Sequence, residues 1–87
     1  MTYTVTIPLE VVNATHPGGY FELYMKRRQE GFTSKEAWSA VESELQSYGL
    51  PGRYSSYESF RRHLYKMPRI LREWRCAMAQ VVTVGNV

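Results

Sequence analysis

Two short motifs of the form Ser/Thr-x-x-Glu constrain the fold more than any other feature of the chain. They occupy residues 33–36 (Thr-Ser-Lys-Glu) and 55–58 (Ser-Ser-Tyr-Glu). In such a capping box, the hydroxyl of the first residue and the carboxylate of the fourth accept hydrogen bonds from backbone N–H groups that the first turn of a helix leaves free. Apolar residues at helical spacing follow both motifs. The motifs therefore predict helices over residues 34–48 and 55–67.

The flanking segments predict two further helices. A turn-forming run, Asn-Ala-Thr-His-Pro-Gly-Gly, precedes a helical pattern over residues 20–30 that Gly31 can terminate. Pro68 is suited to the first turn of a helix over residues 68–80, because its missing N–H has no partner there in any case. The alternative is that Pro68 kinks one long helix.

Both ends of the chain have the composition of strands. Residues 1–12 alternate between apolar and polar side chains, which predicts a half-buried strand. Because Pro8 cannot donate to a ladder, this strand either lies at an edge or ends early. Residues 81–87 are short and rich in valine. They form a tail or a strand that pairs with the first one, within one chain or across a dimer.

These elements predict one domain over residues 1–87, of the mainly α, α+β class. It is a three- to four-helix bundle containing a helix-turn-helix-like unit, with an N-terminal β-strand and an optional short C-terminal strand. At 87 residues the chain is long enough for one modest core. The large apolar residues expected to fill that core are Trp38, Phe60, Leu64 and Trp74.

Composition excludes several classes of protein. The chain has no run of about 18 apolar residues and no secretory signal, so neither membrane insertion nor export is expected, and the location is predicted to be cytoplasmic. The single cysteine, Cys76, rules out an internal disulfide. There is no aspartate, and His16, His63 and Cys76 are scattered. We therefore predict no enzyme, metal site, cofactor or small-molecule ligand.

Positive charge is concentrated in the second half of the chain. Residues 1–49 hold four basic residues and six glutamates, a net −2, whereas residues 50–87 hold seven basic residues and two glutamates, a net +5. A helical wheel of residues 55–67 places Tyr57, Phe60, Leu64 and Met67 on one face and hydroxyls and cations on the other. Such a face suits a polyanion, although a plain solvated surface has the same composition.

The predicted nucleic-acid-binding residues lie on and beside this helix. Arg62 is the candidate for a base contact, because its planar guanidinium matches guanine with two hydrogen bonds. Short polar residues suit the close approach to base edges, and long cations suit phosphates. The full predicted set is Arg53, Ser55, Ser59, Arg61, Arg62, Lys66 and Arg69.

The runs Phe-Thr-Ser-Lys-Glu-Ala-Trp (32–38), Leu45 to Leu50 and Tyr-Ser-Ser-Tyr-Glu-Ser-Phe-Arg-Arg-His-Leu (54–64) resemble a helix-turn-helix unit of bacterial and phage DNA-binding proteins. The resemblance covers residues 32–67. It implies that Ala37 lies where two helices cross and that residues 55–67 act as a recognition helix in duplex DNA. The leading functional hypothesis is therefore sequence-specific binding of duplex DNA by a transcriptional regulator or accessory factor, with size and type alone suggesting a phage or mobile element. A homodimer that reads two half-sites fits this hypothesis, because a single helix in the groove rarely gives enough affinity.

Two other functions remain open at this stage. A protein-interaction or dimerisation module would use the first strand to extend the sheet of a partner, or the basic helix to bind an acidic surface. Binding of RNA or single strands would use the same cations with Tyr54 or Tyr65 stacking on bases.

Overall fold

A computed structural model describes the backbone of residues 6–85 and the side chains of residues 6–79. Over this range the chain is helical and contains no strand. Helix α2 lies at the centre and packs against α1, α3 and α5, while α3 also packs against α4. A short 3₁₀ helix, Leu64–Lys66, joins α4 to α5. The α-helices are α1 (Leu9–Asn13), α2 (Pro17–Gln29), α3 (Ser34–Ser47), α4 (Tyr57–His63) and α5 (Met67–Gly85).

Two glycines in the first turn of α2 allow its neighbours to approach closely. A Cβ atom on Gly18 would collide with the side chain of Trp74 on α5, and one on Gly19 would collide with the backbone carbonyl of Asn13 at the end of α1. Pro17 opens the helix, where its missing N–H is not needed. The Pro-Gly-Gly run therefore begins α2 and is not a loop before it, so this helix starts three residues earlier than the sequence indicates.

The core is built mainly on α2, which contributes four of its large side chains. Phe60 of α4 is fully buried among them, as predicted. Trp38 and Leu64 are partly buried against the core. Trp74 is half-buried and covers the start of α2, where its ring stacks on His16 with 5.8 Å between centroids. The buried apolar residues are Val11, Ala14, Tyr20, Phe21, Leu23, Tyr24, Ala37, Val41, Leu45, Phe60 and Leu71.

The helix boundaries set by local chemistry are confirmed around α3. The Thr33 hydroxyl accepts from the Glu36 N–H (3.2 Å), and the Glu36 carboxylate accepts from the Thr33 N–H (2.9 Å). Gly31 and Gly49 follow α2 and α3 with φ of 104° and 74°, in the left-handed region that glycine enters without strain. In both places the next residue donates back to a carbonyl of the last helical turn, which is the Schellman arrangement.

The predicted strands are wrong in the part of the chain that the structure describes. Residues 9–12 belong to α1, which begins after Pro8, and residues 81–85 belong to α5. The two strands were expected to pair with each other, and an unpaired strand would leave its backbone polar groups without partners. A helix satisfies those groups within itself. Residues 1–5 and 86–87 of the two predicted strands lie outside the described residues.

The third predicted helix is also shorter than expected. It starts at Tyr57, because the hydroxyl of Ser56, not that of Ser55, caps it by accepting from the Ser59 N–H (3.2 Å). It ends at His63, and the 3₁₀ helix follows it directly before α5. Pro68 lies in the first turn of α5. Of the predicted alternatives, a separate fourth helix is confirmed.

The two glutamates of the capping motifs are expected to respond differently to acid. Hydrogen bonds from the backbone N–H and then the hydroxyl of Thr33 hold the pKa of Glu36 below its usual value. The ionised carboxylate therefore stabilises the fold above the ordinary glutamate pKa, and this contribution is lost as the pH falls through the lowered value. Glu36→Gln should be less stable than the parent near neutral pH and should show a flatter decline in acid.

Glu58→Gln is the matched control, because Ser56 alone caps α4 and the second capping box does not form. Urea unfolding from neutral pH to about pH 3, below the ordinary glutamate pKa of about 4.3, measures the difference. Equal pH dependence for the two variants would contradict the assignment.

Candidate nucleic-acid interface

Helix α4 divides its side chains between the core and the solvent. Phe60 contacts the rings of Tyr20, Phe21 and Tyr24 on α2, with 4.8 Å between its centroid and that of Tyr24. Tyr57 is partly buried beside Trp38 of α3. The opposite side of the helix is left to the charged residues. The predicted inward face and the outward position of the cations are confirmed, whereas Ser55 lies before α4 and Ser59 is half-buried.

The connection between α3 and α4, residues 48–56, is tethered to the core by Glu42. This side chain is only 7% exposed, and its Oε2 accepts three hydrogen bonds. The donors are the Tyr20 hydroxyl (2.7 Å), the Arg53 N–H (3.1 Å) and the Tyr54 N–H (3.2 Å). The long turn is thus held in one conformation by a carboxylate that reaches it from the middle of α3.

Tyr20 and Tyr54 also take part in this tether, the set of contacts by which Glu42 connects the turn to the core. Burial and the hydrogen bond to the Glu42 carboxylate raise the pKa of Tyr20 far above its usual value, so its hydroxyl remains a donor. The Tyr54 ring packs edge-on against both Tyr20 and Phe60, with 5.4 Å between centroids in each pair. The turn therefore contributes an aromatic residue to the core, which a flexible linker would not do.

A basic surface extends along α4, the 3₁₀ helix and the start of α5. All its members are exposed, and within the described part of the chain three of them, Arg62, Lys66 and Arg72, have no carboxylate oxygen within 4.0 Å. We define it as Arg61, Arg62, Lys66, Arg69 and Arg72.

The other two cations of the basic surface make weak pairs along the helix. Arg61 lies 3.7 Å from Glu58, and Arg69 lies 3.5 Å from Glu73; every side chain involved is more than 60% exposed. Exposed pairs of this kind contribute about 0–1 kcal/mol. All five cations are therefore free to exchange their present surroundings for an anion.

The structure separates the predicted binding residues into two groups. Arg53, Ser55 and Ser59 line an open cleft of about 570 Å³ beside α3, whose other walls include Trp38 and Glu42. Arg61, Arg62, Lys66 and Arg69 belong to the basic surface. Ser59 is half-buried, and the guanidinium of Arg53 lies 3.5 Å from the Thr15 carbonyl oxygen, the outer limit of a hydrogen bond. The second group consists of exposed cations that lie close together in the sequence.

Two features of this region were missed from the sequence. Glu42 follows Trp38 by four residues and precedes Leu45 by three, so it lies beside the apolar stripe of α3. A carboxylate at such a position was the sequence feature that could have indicated its burial. Arg72, one helical turn after Arg69, extends the basic surface and follows from the same periodicity. The tether formed by Glu42 could not be foreseen, because its partners Tyr20 and Arg53 lie on other elements.

Other kinds of site are not found in the described residues. No group of three or more His, Cys, Asp or Glu side chains is placed to hold a metal ion. Cys76 is exposed, and His63 Nδ1 lies 2.8 Å from the Ser59 carbonyl oxygen, within hydrogen-bonding distance.

Over the described range, no helix is both long and apolar enough to cross a membrane.

Comparison of the chain with protein-family models, curated proteins and solved structures found no match.

Proposed function

We propose that this protein binds double-stranded DNA through the basic surface, with α3 and α4 acting as a helix-turn-helix-like unit. The observation that carries the proposal is the group of five exposed cations within residues 61–72, three of which have no carboxylate partner among the described residues. Phosphates supply most of the affinity of such a surface, because their neutralisation releases bound counterions.

Because α4 is short, the five cations are expected to have different roles. With seven residues, the helix is about 10 Å long, so only its outward side chains can reach into a major groove. Arg62 lies at the centre of that outward face and is the candidate for a bidentate contact with guanine. Lys66, at the end of the 3₁₀ helix, and Arg69 and Arg72, on α5, would follow the phosphate backbone.

Arg53 and Ser55 would support this contact from the turn, since Glu42 fixes the backbone next to them. One short helix offers few base contacts, and a dimer that reads two half-sites would supply more. The competing protein-interaction function would have a shorter segment for extending a sheet, because residues 9–12 of the predicted first strand are helical in α1. The other possibility for that function is that the basic surface binds an acidic protein, and the experiment below distinguishes it from DNA binding.

Salt-dependent binding to duplex DNA tests the proposal. Fluorescence anisotropy with a labelled duplex of about 20 bp, two helical turns, gives the Kd at about 50 and 200 mM salt. We expect binding to weaken steeply with salt. Arg62→Ala and Lys66→Ala should each cost about 1–3 kcal/mol, and Lys66→Ala should lower the logarithmic salt slope by about one.

The control is Lys35→Ala, which removes one exposed positive charge from the first turn of α3, outside the basic surface. Its Kd and salt slope should stay close to those of the parent. Absent or salt-insensitive binding, or an equal loss in the control, would refute the proposal. A basic surface that binds an acidic protein and no DNA would support the interaction module instead.

A further inference from the structure

The most exposed large apolar side chain in the described residues is an aromatic one beside the basic surface. Tyr65 is 77% exposed and lies in the 3₁₀ helix between α4 and α5. Leu64, its neighbour, is partly buried against the core. Among the described residues the Tyr65 ring has no aromatic contact, whereas Tyr20, Tyr24, Tyr54 and Tyr57 all pack against Phe60. Tyr65 therefore contributes little to the fold and presents its ring to solvent.

The surroundings of Tyr65 combine an apolar wall with two cations. Tyr65, Lys66, Arg69 and Ile70 line an open hollow of about 370 Å³. The Nζ atom of Lys66 lies 5.7 Å from the centre of the Tyr65 ring, within the range of a cation–π interaction. Arg69 and Lys66 belong to the basic surface, so the hollow continues the region expected to contact phosphates. No acidic side chain lines it.

We propose that Tyr65 stacks on an unpaired base of a nucleic acid whose phosphates are held by Lys66 and Arg69. The inference rests on the proposed function and specifies its substrate: a duplex that continues into a single strand. An exposed aromatic ring flanked by cations is the arrangement with which proteins bind unpaired bases irrespective of sequence, since every base has a flat π-face. Ile70 gives the base an apolar edge to pack against.

Stacking on Tyr65 requires a base that is not paired within a duplex. A base paired within a duplex has no free face, so Tyr65 cannot stack on it, and a blunt duplex would use the cations alone. At the end of a duplex the first unpaired base is free to leave the stack. The tailed substrate would therefore engage the basic surface with its duplex and Tyr65 with its single strand.

Three probes and four proteins test this inference. The probes are a blunt duplex, the same duplex with a thymidine tail, and the tail sequence alone. The proteins are the parent, Tyr65→Leu, Tyr65→Phe and the control Tyr48→Leu, which alters an exposed tyrosine at the end of α3. Anisotropy gives each Kd, and a fluorescent adenine analogue in the tail reports stacking directly.

We expect the parent to bind the tailed duplex about 5- to 150-fold more tightly than the blunt one, the range that one stacked base supplies. Tyr65→Leu should remove this preference and the change in analogue fluorescence while leaving the affinity for blunt duplex unchanged. Tyr65→Phe should keep both, because it retains the ring. Tyr48→Leu should behave as the parent.

The outcomes separate the inference from the proposed function. Equal affinity of the parent for the blunt and the tailed duplex would overturn stacking and leave duplex binding intact. A similar loss of affinity for both probes in Tyr65→Leu would show that Tyr65 has no role specific to an unpaired base. Absence of binding to all three probes would overturn the inference together with the proposed function.

Discussion

Glu42→Ala is expected to lower the free energy of unfolding by about 3 kcal/mol, because three hydrogen bonds to one buried carboxylate are lost together. The Tyr20 hydroxyl would remain buried without an acceptor. The N–H groups of Arg53 and Tyr54 would have to find water or other partners. Hydrogen bonds to a charged group contribute about 1.5–3 kcal/mol each, and rehydration of the turn recovers part of the loss.

Two further variants distinguish a hydrogen-bonding role for Glu42 from a packing role. Glu42→Gln preserves the volume and one acceptor oxygen, so its loss should be clearly smaller than that of Glu42→Ala. Tyr20→Phe removes one of the three donors. Combined with Glu42→Ala it should cost less than the sum of the two single changes, because both remove the same bond.

Urea unfolding followed by circular dichroism measures all of these changes. The matched control is Glu73→Ala, which removes an exposed carboxylate paired with Arg69 at 3.5 Å and should cost less than about 1 kcal/mol. Equal losses for the buried and the exposed glutamate would contradict the tether. So would strict additivity between Glu42→Ala and Tyr20→Phe.

The tether also links stability to the proposed function. Arg53 is expected to approach DNA from the turn, and its backbone N–H is one of the groups that Glu42 holds. Glu42→Ala, studied well below its unfolding transition, should therefore bind duplex DNA more weakly than Glu42→Gln does. The basic surface itself is on other elements, so binding should be reduced and not abolished.

Features of the fold that depend on nearby residues could be predicted from the sequence. The cap at Thr33 and the left-handed glycine at 31 each involve partners within about five residues, and their chemistry is visible in the chain. The inward positions of α4 followed from periodicity. These signals were sufficient for an α-rich class, for both ends of α3 to within one residue and for the exposure of the four predicted cations on the basic surface.

Features that depend on distant residues could not be predicted in this way. A strand needs a partner, and the alternation of residues 1–12 does not reveal whether one exists. The close approach at Gly18 involves Trp74, on another helix. The 3₁₀ segment after His63, which interrupts the predicted helix over residues 55–67, has no signal in the helical wheel.

Phe60→Ala is expected to have the largest effect on stability, about 3–5 kcal/mol, the usual loss when a buried phenylalanine leaves a cavity. Phe60 is fully buried, and its ring lies within 6.2 Å of five others, from α2, the turn and α4. A small domain has a total stability on the order of 5–15 kcal/mol. The substitution is therefore expected to destabilise the whole domain and not only α4.

Phe32→Ala is the matched control, since it removes the same side chain from a position that is 40% exposed, between α2 and α3. Its loss should be a small fraction of that at Phe60. Phe60→Leu should be intermediate, because it refills most of the cavity without the aromatic contacts. Thermal and urea unfolding of the three variants give the ranking, and a loss at Phe32 as large as that at Phe60 would contradict the assigned core.

The Phe60→Leu variant also tests whether the core positions the basic surface. Phe60 precedes Arg61 and Arg62 directly, and it is the side chain that fixes which face of α4 points inward. If Phe60→Leu remains folded, its looser anchoring should weaken DNA binding through Arg62 more than through Lys66, which lies beyond the end of α4. The additional loss caused by Arg62→Ala should therefore be smaller in the Phe60→Leu background than in the parent, whereas that caused by Lys66→Ala should be unchanged.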